Sequence, residues 1–454
     1  MEALNTDVRL ERRLGLRAAL ATNLIGMVGV GPFLTIPAML MAMGGPHIIY
    51  AWIAGALLSL ADGLVYAQLG AALPGTGGPY VYLREAYAPL GLGRLMAFLF
   101  IFQVLLSAPL SIASGAVGFA NYLGFYWQTM TPIAHGLVAA ATCVAMTALL
   151  CRNIESVGRL AVAMLVVVLV TVGWIIVAGL FAFSPAQAFD FPPSAFRVDG
   201  AWWRSLSAAT LIAIYNYGGY NNVCNIGGEV RDPEKTLPRA IVLSIVCIAV
   251  MYVLMSTVIL GMVPWREAER SETIAALFIA RTFHDPAAGH AAGALMTALI
   301  LFVTASSLYA LILGYSRVPF AAARDGQFFA VFGRLHPTKH FPDVSLLTIG
   351  AISLPFCFLS IGRIVNWLIL LQIVTQFVWI CAGVILLHRY RRDIAQPFVM
   401  WLYPIPAIVA AVTWIAVFVT GPRDGIMFSL VFVGITLAAY KVFSGASSSL
   451  SARL

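Results

Sequence analysis

The residues best suited to chemistry are those that break a helix. In "IGMVGVGPFLTIP", residues 25–37, Gly26, Gly29 and Gly31 precede Pro32 inside a long apolar run. Glycine costs about 1 kcal/mol against alanine in a helix interior, and proline about 3. Gly29 and Gly31 stand two apart, so they face opposite sides of a helix and cannot form one packing groove. Pro32 also removes the hydrogen bond to the carbonyl of Val28. Unwinding over Val28–Gly31, with Pro32 as the first residue of a new half-helix, accommodates all four residues. That half-helix presents unpaired N–H groups and the positive end of its dipole, which suits a carboxylate. The unwound carbonyls of Ile25–Val28 suit an ammonium or a metal cation.

A second stretch, "YNYGGYNNVCNIGGEV" from Tyr215 to Val230, is irregular in the same way, with Gly218–Gly219 followed by Gly227–Gly228. Its carbonyls at Tyr215–Gly218 offer the same acceptors. One small ligand that carries both an ammonium and a carboxylate is an α-amino acid. Gly55, Ser59 and Gly63 differ: their four-residue spacing puts them on one face, as in close helix packing.

The elements that must position these breaks are set by composition. Of 454 residues, 61% are hydrophobic and only 10% charged, against about 25% charged in soluble domains. The chain therefore reads as an all-α integral membrane protein. Twelve apolar runs near the length of about 20 residues that spans a bilayer fall at 18–43, 47–72, 94–122, 133–151, 159–183, 204–227, 239–263, 288–315, 344–361, 364–388, 399–420 and 425–443. An even number puts both ends on one side. That side holds 20 of the 27 Lys and Arg, so both termini are expected in the cytoplasm. The net charge of +8 is thus a topology signal spread over short loops, and no nucleic-acid partner is expected. No removable signal peptide is expected at the N-terminus. The six cysteines lie in or at the ends of the runs and read as buried structural thiols, with no disulfide framework.

The broken runs are the first and the sixth. Five spans is an odd number, so a second half starting at span six enters the membrane from the opposite side. Glycine-interrupted spans in corresponding halves point to an inverted-repeat transporter with its site at the breaks. The expected organisation is a cytoplasmic tail at 1–17, a first repeat at 18–183, an inverted second repeat at 204–388, two further helices at 399–443 and a tail at 444–454.

Four motifs then resemble the amino acid/polyamine/organocation transporters. They are "GVGPF" with Pro37, "YAQLGAALPGTGGPYVYLREAYAPLG" from Tyr66, "YGGYNNVCNIGGEVRDPEKTLPRAI" from Tyr217, and "SRVPFAAARDGQFFAVFGRLHP" from Ser316. "YRRDIAQPFVMWLYPIPAI" fits the L-type amino acid transporter branch. The resemblance implies a leucine-transporter-type fold of twelve helices in a 5+5 inverted repeat, with broken helices 1 and 6 and added helices 11–12. It implies a permease of the cytoplasmic membrane working by alternating access, with neutral amino acids as the expected substrates. In this family's terms Gly29, Val30 and Gly31 hold the substrate carboxylate by their N–H groups. The carbonyls of Ile25 and of residues near Tyr215, such as Gly218, take the ammonium. Tyr215 closes over the substrate, and Asn221 supports the broken helix and the site.

Coupling admits H+ or Na+. Asp62 is the one carboxylate well inside a span, and intramembrane acids are functional hypotheses by default; it is read as a proton site, a substrate contact or a structural acid. Carbonyls of Ile25 and Val28 with hydroxyls of Ser306 and Ser307 offer a sodium cage. A lysine that some relatives carry in the fifth helix is replaced here by Val162. A polyamine or other cationic substrate is the alternative, which lacks a second acid because Asn221 stands where the polyamine branch has an aspartate. A non-transporting amino acid sensor would keep the same fold. Glu229, near Arg231, reads as an interfacial salt-bridge or gate element, and His336 and His340 are assigned no metal. No phosphate-binding loop, "HExxH" or paired soluble acids support an enzyme, and no cofactor is expected.

Overall fold

A chain this apolar must satisfy its backbone N–H and C=O groups internally when lipid surrounds it, and helices do so within one segment. The computed structural model describes residues 12, 14–29, 31–75, 77–151, 157–193, 195–337 and 341–451, with the backbone alone at 157–165, 443 and 445–451. The described chain is helical, with one isolated parallel β-bridge between Leu14 and Val230. The first helices are α1 (Leu16–Met27), α2 (Gly31–Met43), α3 (Ile49–Ala72), α4 (Pro79–Tyr87), α5 (Gly93–Leu123), α6 (Pro132–Leu150) and α7 (Val157–Phe181). The short α8 (Pro185–Ala188) leads to α9 (Gly200–Tyr217), the single turn α10 (Asn222–Asn225) and α11 (Pro233–Leu260). Two short helices, α12 (Trp265–Ala268) and α13 (Ile274–Arg281), precede α14 (Pro286–Arg324) and α15 (Asp343–Phe356). Next come α16 (Ile361–Gln372), a π-helical turn at Ile373–Phe377, α17 (Val378–Tyr390), α18 (Ile405–Thr420) and α19 (Arg423–Ser451).

Seven helical stretches are long and apolar enough to cross a membrane, and α1 with α2, bent by 48° at their break, makes an eighth if taken as one span. The protein is therefore all-helical and multi-pass. Each of the twelve runs expected from sequence overlaps a helix, but length and apolarity alone do not single out the rest. Helices α15 and α18 have 14 and 16 residues, about 21 and 24 Å of helix against a hydrocarbon core of about 30 Å. Helix α9 carries Arg204, Ser205, Ser207 and Asn216.

Side-chain caps fix where several helices begin. Thr131 accepts from Ala134 N ahead of Pro132, and Asp285 accepts from Ala287 N and Ala288 N ahead of Pro286. Asp199 accepts from Ala201 N and Trp202 N at 2.9 Å. These N–H groups, Trp202 first, hold the Asp199 carboxyl below the usual carboxylate range.

The exterior is apolar, unlike that of a soluble protein, and the mostly apolar interior also encloses polar side chains. Leu57, Val250, Val412 and Val419 are exposed, while Asn23, Asp62, Gln68, Gln103 and Asn216 are buried. Helix α5 is the most enclosed span, 78% buried against 22% for α19, which suits it to carry the wall of an internal site. The most extensive helix pairs are α3 with α11 and α5 with α14, and the half-helices pair as α2 with α9 and α1 with α10. Gly55 lets α3 approach Ala213 and Tyr217 of α9, and Gly63 lets it approach Ile241 and Ile245 of α11. All six cysteines are free thiols, but Cys151 is half-buried and Cys247 exposed rather than buried: Cys247 lies on α11, a helix with an outward face that also exposes Val250 and Leu254.

Candidate functional site

Helix α1 ends at Met27. Val28 leaves helical geometry at φ −92° and ψ 86°, with its N–H still donating to the carbonyl of Leu24 at 2.9 Å. The chain becomes helical again at Gly31, one residue before the start expected at Pro32, whose missing N–H has no intrahelical partner to lose in a first turn. Val30 lies outside the described residues. A Cβ on Gly31 would collide with Asn216 Oδ1 and stand 3.3 Å from Tyr215 Cε1, and one on Gly29 would stand 3.0 Å from Ser307 Oγ. Glycine is therefore what lets this break sit against α9 and α14.

The second break follows Tyr217. Gly219 adopts φ +110°, a conformation that favours glycine, and a Cβ there would lie 3.0 Å from the carbonyl group of Gly26. The two breaks touch, backbone to backbone. Freed polar groups of both breaks are met by side chains from elsewhere. Asn23 of α1, fully buried, donates through Nδ2 to Tyr220 O at 2.6 Å and accepts from Val223 N at 2.9 Å. Tyr252 of α11 donates to the Met27 carbonyl at 2.8 Å, with the Asn216 carbonyl 3.4 Å away. Below α10, Leu14 N donates to Glu229 O and Arg231 N donates to Leu14 O, both at 2.9 Å. Glu229 thus meets the N-terminal segment through its main chain, and Arg231 does so through both its main chain and its side chain, whose Nε donates to Arg12 O at 3.3 Å.

A cavity of about 150 Å³ lies between the breaks, α5, α14 and the α16–π segment. It runs from Gly31 and Ser114 toward Pro79 and Asn225, on the side of the Leu14–Val230 bridge. Of the residues singled out from sequence, Gly29, Gly31, Tyr215, Gly218, Asn221 and Ser307 line it. Ile25, Val28, Ser306 and Asp62 do not. Ser306 donates to Phe302 O of its own helix at 2.7 Å. Asp62 is sealed behind Tyr220, whose hydroxyl donates to Oδ2 at 2.5 Å, while Trp414 Nε1 and Cys381 Sγ reach Oδ1 at 3.2 and 3.5 Å.

Sequence reasoning missed much of the wall. Gln103, Ser107, Ser111 and Ser114 form a polar stripe along α5, at spacings of four, four and three that keep them on one face. Ser114 Oγ and Tyr215 OH are 2.8 Å apart, which ties the expected closing residue to that stripe. Asn216 and Gln372 also line the cavity, as does Gln376 of the π turn, and π turns often mark functional positions. No charged side chain lines the cavity among the described residues.

Charge collects instead in the loops. Arg391 bonds Glu85 at 2.9 Å and grips Asp393 with two nitrogens, and Arg84 bonds the other oxygen of Glu85 at 3.0 Å. The Arg391 guanidinium holds the Asp393 carboxyl below the usual range.

These features define a multi-pass membrane protein with a small, uncharged cavity, polar in part of its wall, between two broken helices. The profile of the amino acid permease family matches residues 15–440, and the chain belongs to that family. It is 26% identical over 375 residues to the cationic amino acid transporter 4 of Mus musculus, covering 78% of this chain and 56% of that one. The chain thus spans little more than half the length of that relative. It is 24% identical over 430 residues to the methylthioribose transporter of Bacillus subtilis, with 90% and 89% of the two chains covered. The serine/threonine exchanger of the same organism is 25% identical over 415 residues, with 89% and 90% covered.

Proposed function

We propose that this protein is a secondary transporter that carries neutral amino acids across the cytoplasmic membrane by alternating access. The observation that carries this reading is an uncharged cavity opening onto the N-terminus of α2. Backbone N–H groups of Gly29, Val30 and Gly31 receive the carboxylate, and acceptors between the breaks receive the ammonium. A zwitterion satisfied this way brings no net charge into a cavity that holds none. A polyamine or a cationic side chain would add a charge without a partner, which is costly in a low-dielectric interior. Asp62 does not offer one, because its carboxylate already takes Tyr220, Trp414 and Cys381.

The same reading makes the chain twelve spans, with repeats at 18–183 and 204–388, helices 11–12 at 399–443 and both termini in the cytoplasm. The eight strongest spans are joined by α7, α9 with α10, α15 and α18. The pairings of α3 with α11 and α5 with α14 join spans two and seven, and three and eight, which is how elements five apart pair in a 5+5 repeat. For coupling, protons at Asp62 are the better reading. A proton there would compete with the Tyr220 hydroxyl and so act on the second break, whereas only one hydroxyl of the sodium cage, Ser307, faces Gly29.

Counterflow in proteoliposomes tests this. Saturable exchange of labelled L-leucine or L-serine, insensitive to excess arginine and putrescine, is expected. Exchange of the two cations alone would overturn the neutral assignment, and binding without exchange would overturn transport.

A further inference from the structure

We propose that Asn216 binds the substrate directly: its side-chain oxygen accepts a hydrogen bond from the α-ammonium of the bound amino acid. The inference rests on reading the cavity as an amino acid site. Asn216 is 2% exposed and lies on the cavity wall. Its amide orientation is fixed by what its nitrogen does. Nδ2 donates to the Ile212 carbonyl at 2.8 Å, which can only accept, and to Thr35 Oγ1 at 2.9 Å. Oδ1 is therefore the atom turned toward Gly31, and it has no hydrogen-bond partner. Buried polar atoms left unpaired are rare and call for an explanation.

Several backbone acceptors near this point already take one hydrogen bond or lie away from the cavity. The Met27 carbonyl takes the Tyr252 hydroxyl. The Ile214 and Tyr215 carbonyls take the Gly218 N–H at 3.0 and 3.2 Å. Ile25 is off the wall. A carboxylate held by the first N–H groups of α2 leaves the ammonium, attached to the same carbon, one bond further on. Oδ1 is closed off against Gly31 in this structure, and a small turn of the Asn216 side chain or of the Gly31 backbone brings it to the ammonium. A neutral amide oxygen also matches the ammonium without placing a net negative charge in the cavity once the substrate has left.

The test uses full-length protein in nanodiscs and two probes, L-leucine and 2-oxoisocaproate, which keeps the carboxylate and side chain but has no ammonium. Asn216→Ala is expected to weaken L-leucine binding by about tenfold or more, the worth of one hydrogen bond to a charged group, and to leave 2-oxoisocaproate unchanged. Thr35→Val removes the structural bond of Nδ2 but keeps Oδ1 in place, so it is expected to bind L-leucine nearly as wild type does. Equal losses for both probes in Asn216→Ala, or the same loss in Thr35→Val, would assign Asn216 a structural role and overturn the proposal. Where 2-oxoisocaproate binds too weakly to measure, the contrast between the two variants decides. Wild-type protein that binds none of leucine, serine and threonine would defeat the functional reading first, before any variant is compared.

Discussion

The two breaks resemble one another in sequence, each a glycine cluster in an apolar run, yet they are held open by different means. The first is made largely by its own residues, with one freed carbonyl, that of Met27, met by Tyr252 of α11. It occupies little more than Val28 and Gly29 before α2 starts, and Pro32 and the glycines suffice to explain it. The second spans Gly218–Asn221 and a single turn of helix, and it depends on residues from other elements. Asn23 satisfies its backbone, Asp62 holds Tyr220, and Leu14 pairs with the strand-like segment beyond. The difference separates their work. The first break leaves the N-terminus of α2 facing the cavity, whereas the second has the Tyr220 carbonyl and the Val223 N–H committed to Asn23 and moves by exchanging those partners. One reads as a binding element and the other as a joint.

The largest expected effect strikes the binding element. Gly31→Leu would drive a side chain into Asn216 and Tyr215 and fill the space beside the α2 N-terminus. Binding of L-leucine to the folded variant in nanodiscs is expected to be undetectable. Retained affinity would show that the first break does not hold the carboxylate, and the division of labour would collapse. Next in size is a change at the joint. Asn23→Ala leaves the Tyr220 carbonyl and the Val223 N–H without partners, at about 1–3 kcal/mol for each buried group. A lower unfolding temperature and lost exchange are expected, with measurable binding remaining. Loss of binding with unchanged stability would contradict the assignment of Asn23 to the joint.

That asymmetry also decides what was legible beforehand. The breaks could be read because glycine and proline carry their cost locally, wherever the chain folds. The partners of the second break could not. Asn23 and Tyr220 are 197 positions apart, and nothing in either neighbourhood names the other. Ser306 and Ser307 show the same limit on a smaller scale: adjacent residues face about 100° apart on a helix, and only the rotation of α14 turns Ser307 to Gly29 and Ser306 away. The α5 stripe was readable in principle, since Gln103, Ser107, Ser111 and Ser114 keep helical spacing. Asn216 was not, because its meaning lies in which amide atom is left unpaired. The spans emerged from apolar length where that length was ample, as in α5 and α11, whereas the short α15 and α18 fall below the length that by itself marks a span.

Asp62 sits between the two extremes, inside the joint but chemically able to titrate. Asp62→Asn keeps one oxygen for Trp414 or Tyr220 and removes the charge. The expected outcome is that proteoliposome uptake no longer responds to an imposed pH gradient while counterflow persists. The stability cost should be about 1 kcal/mol, that of one mismatched hydrogen bond. Uptake that still follows the pH gradient would leave Asp62 as a purely structural acid, and the joint would then have no titrating part.

The smallest effect is expected where charge is plentiful and solvent is near. Arg391 joins α17 to α4 through Glu85 at 2.9 Å, with both side chains about a quarter exposed. Partly exposed pairs contribute about 0.2–1 kcal/mol, so Arg391→Met should lower stability by less than Asn23→Ala and leave L-leucine affinity unchanged. Asp393 adds a sign that can be checked. Its carboxyl is held below the usual range by Arg391, so its contribution is present above the unfolded value near about pH 4 and lost as pH falls through the lower folded value. The stability gap between wild type and Arg391→Met should therefore be constant from pH 6 to 8, on the order of ordinary working conditions, and shrink only in acid below the unfolded value. A gap that closed near neutrality would point to a different titrating partner. A variant that lost binding would mean that the loop cluster, unlike the joint, takes part in shaping the site.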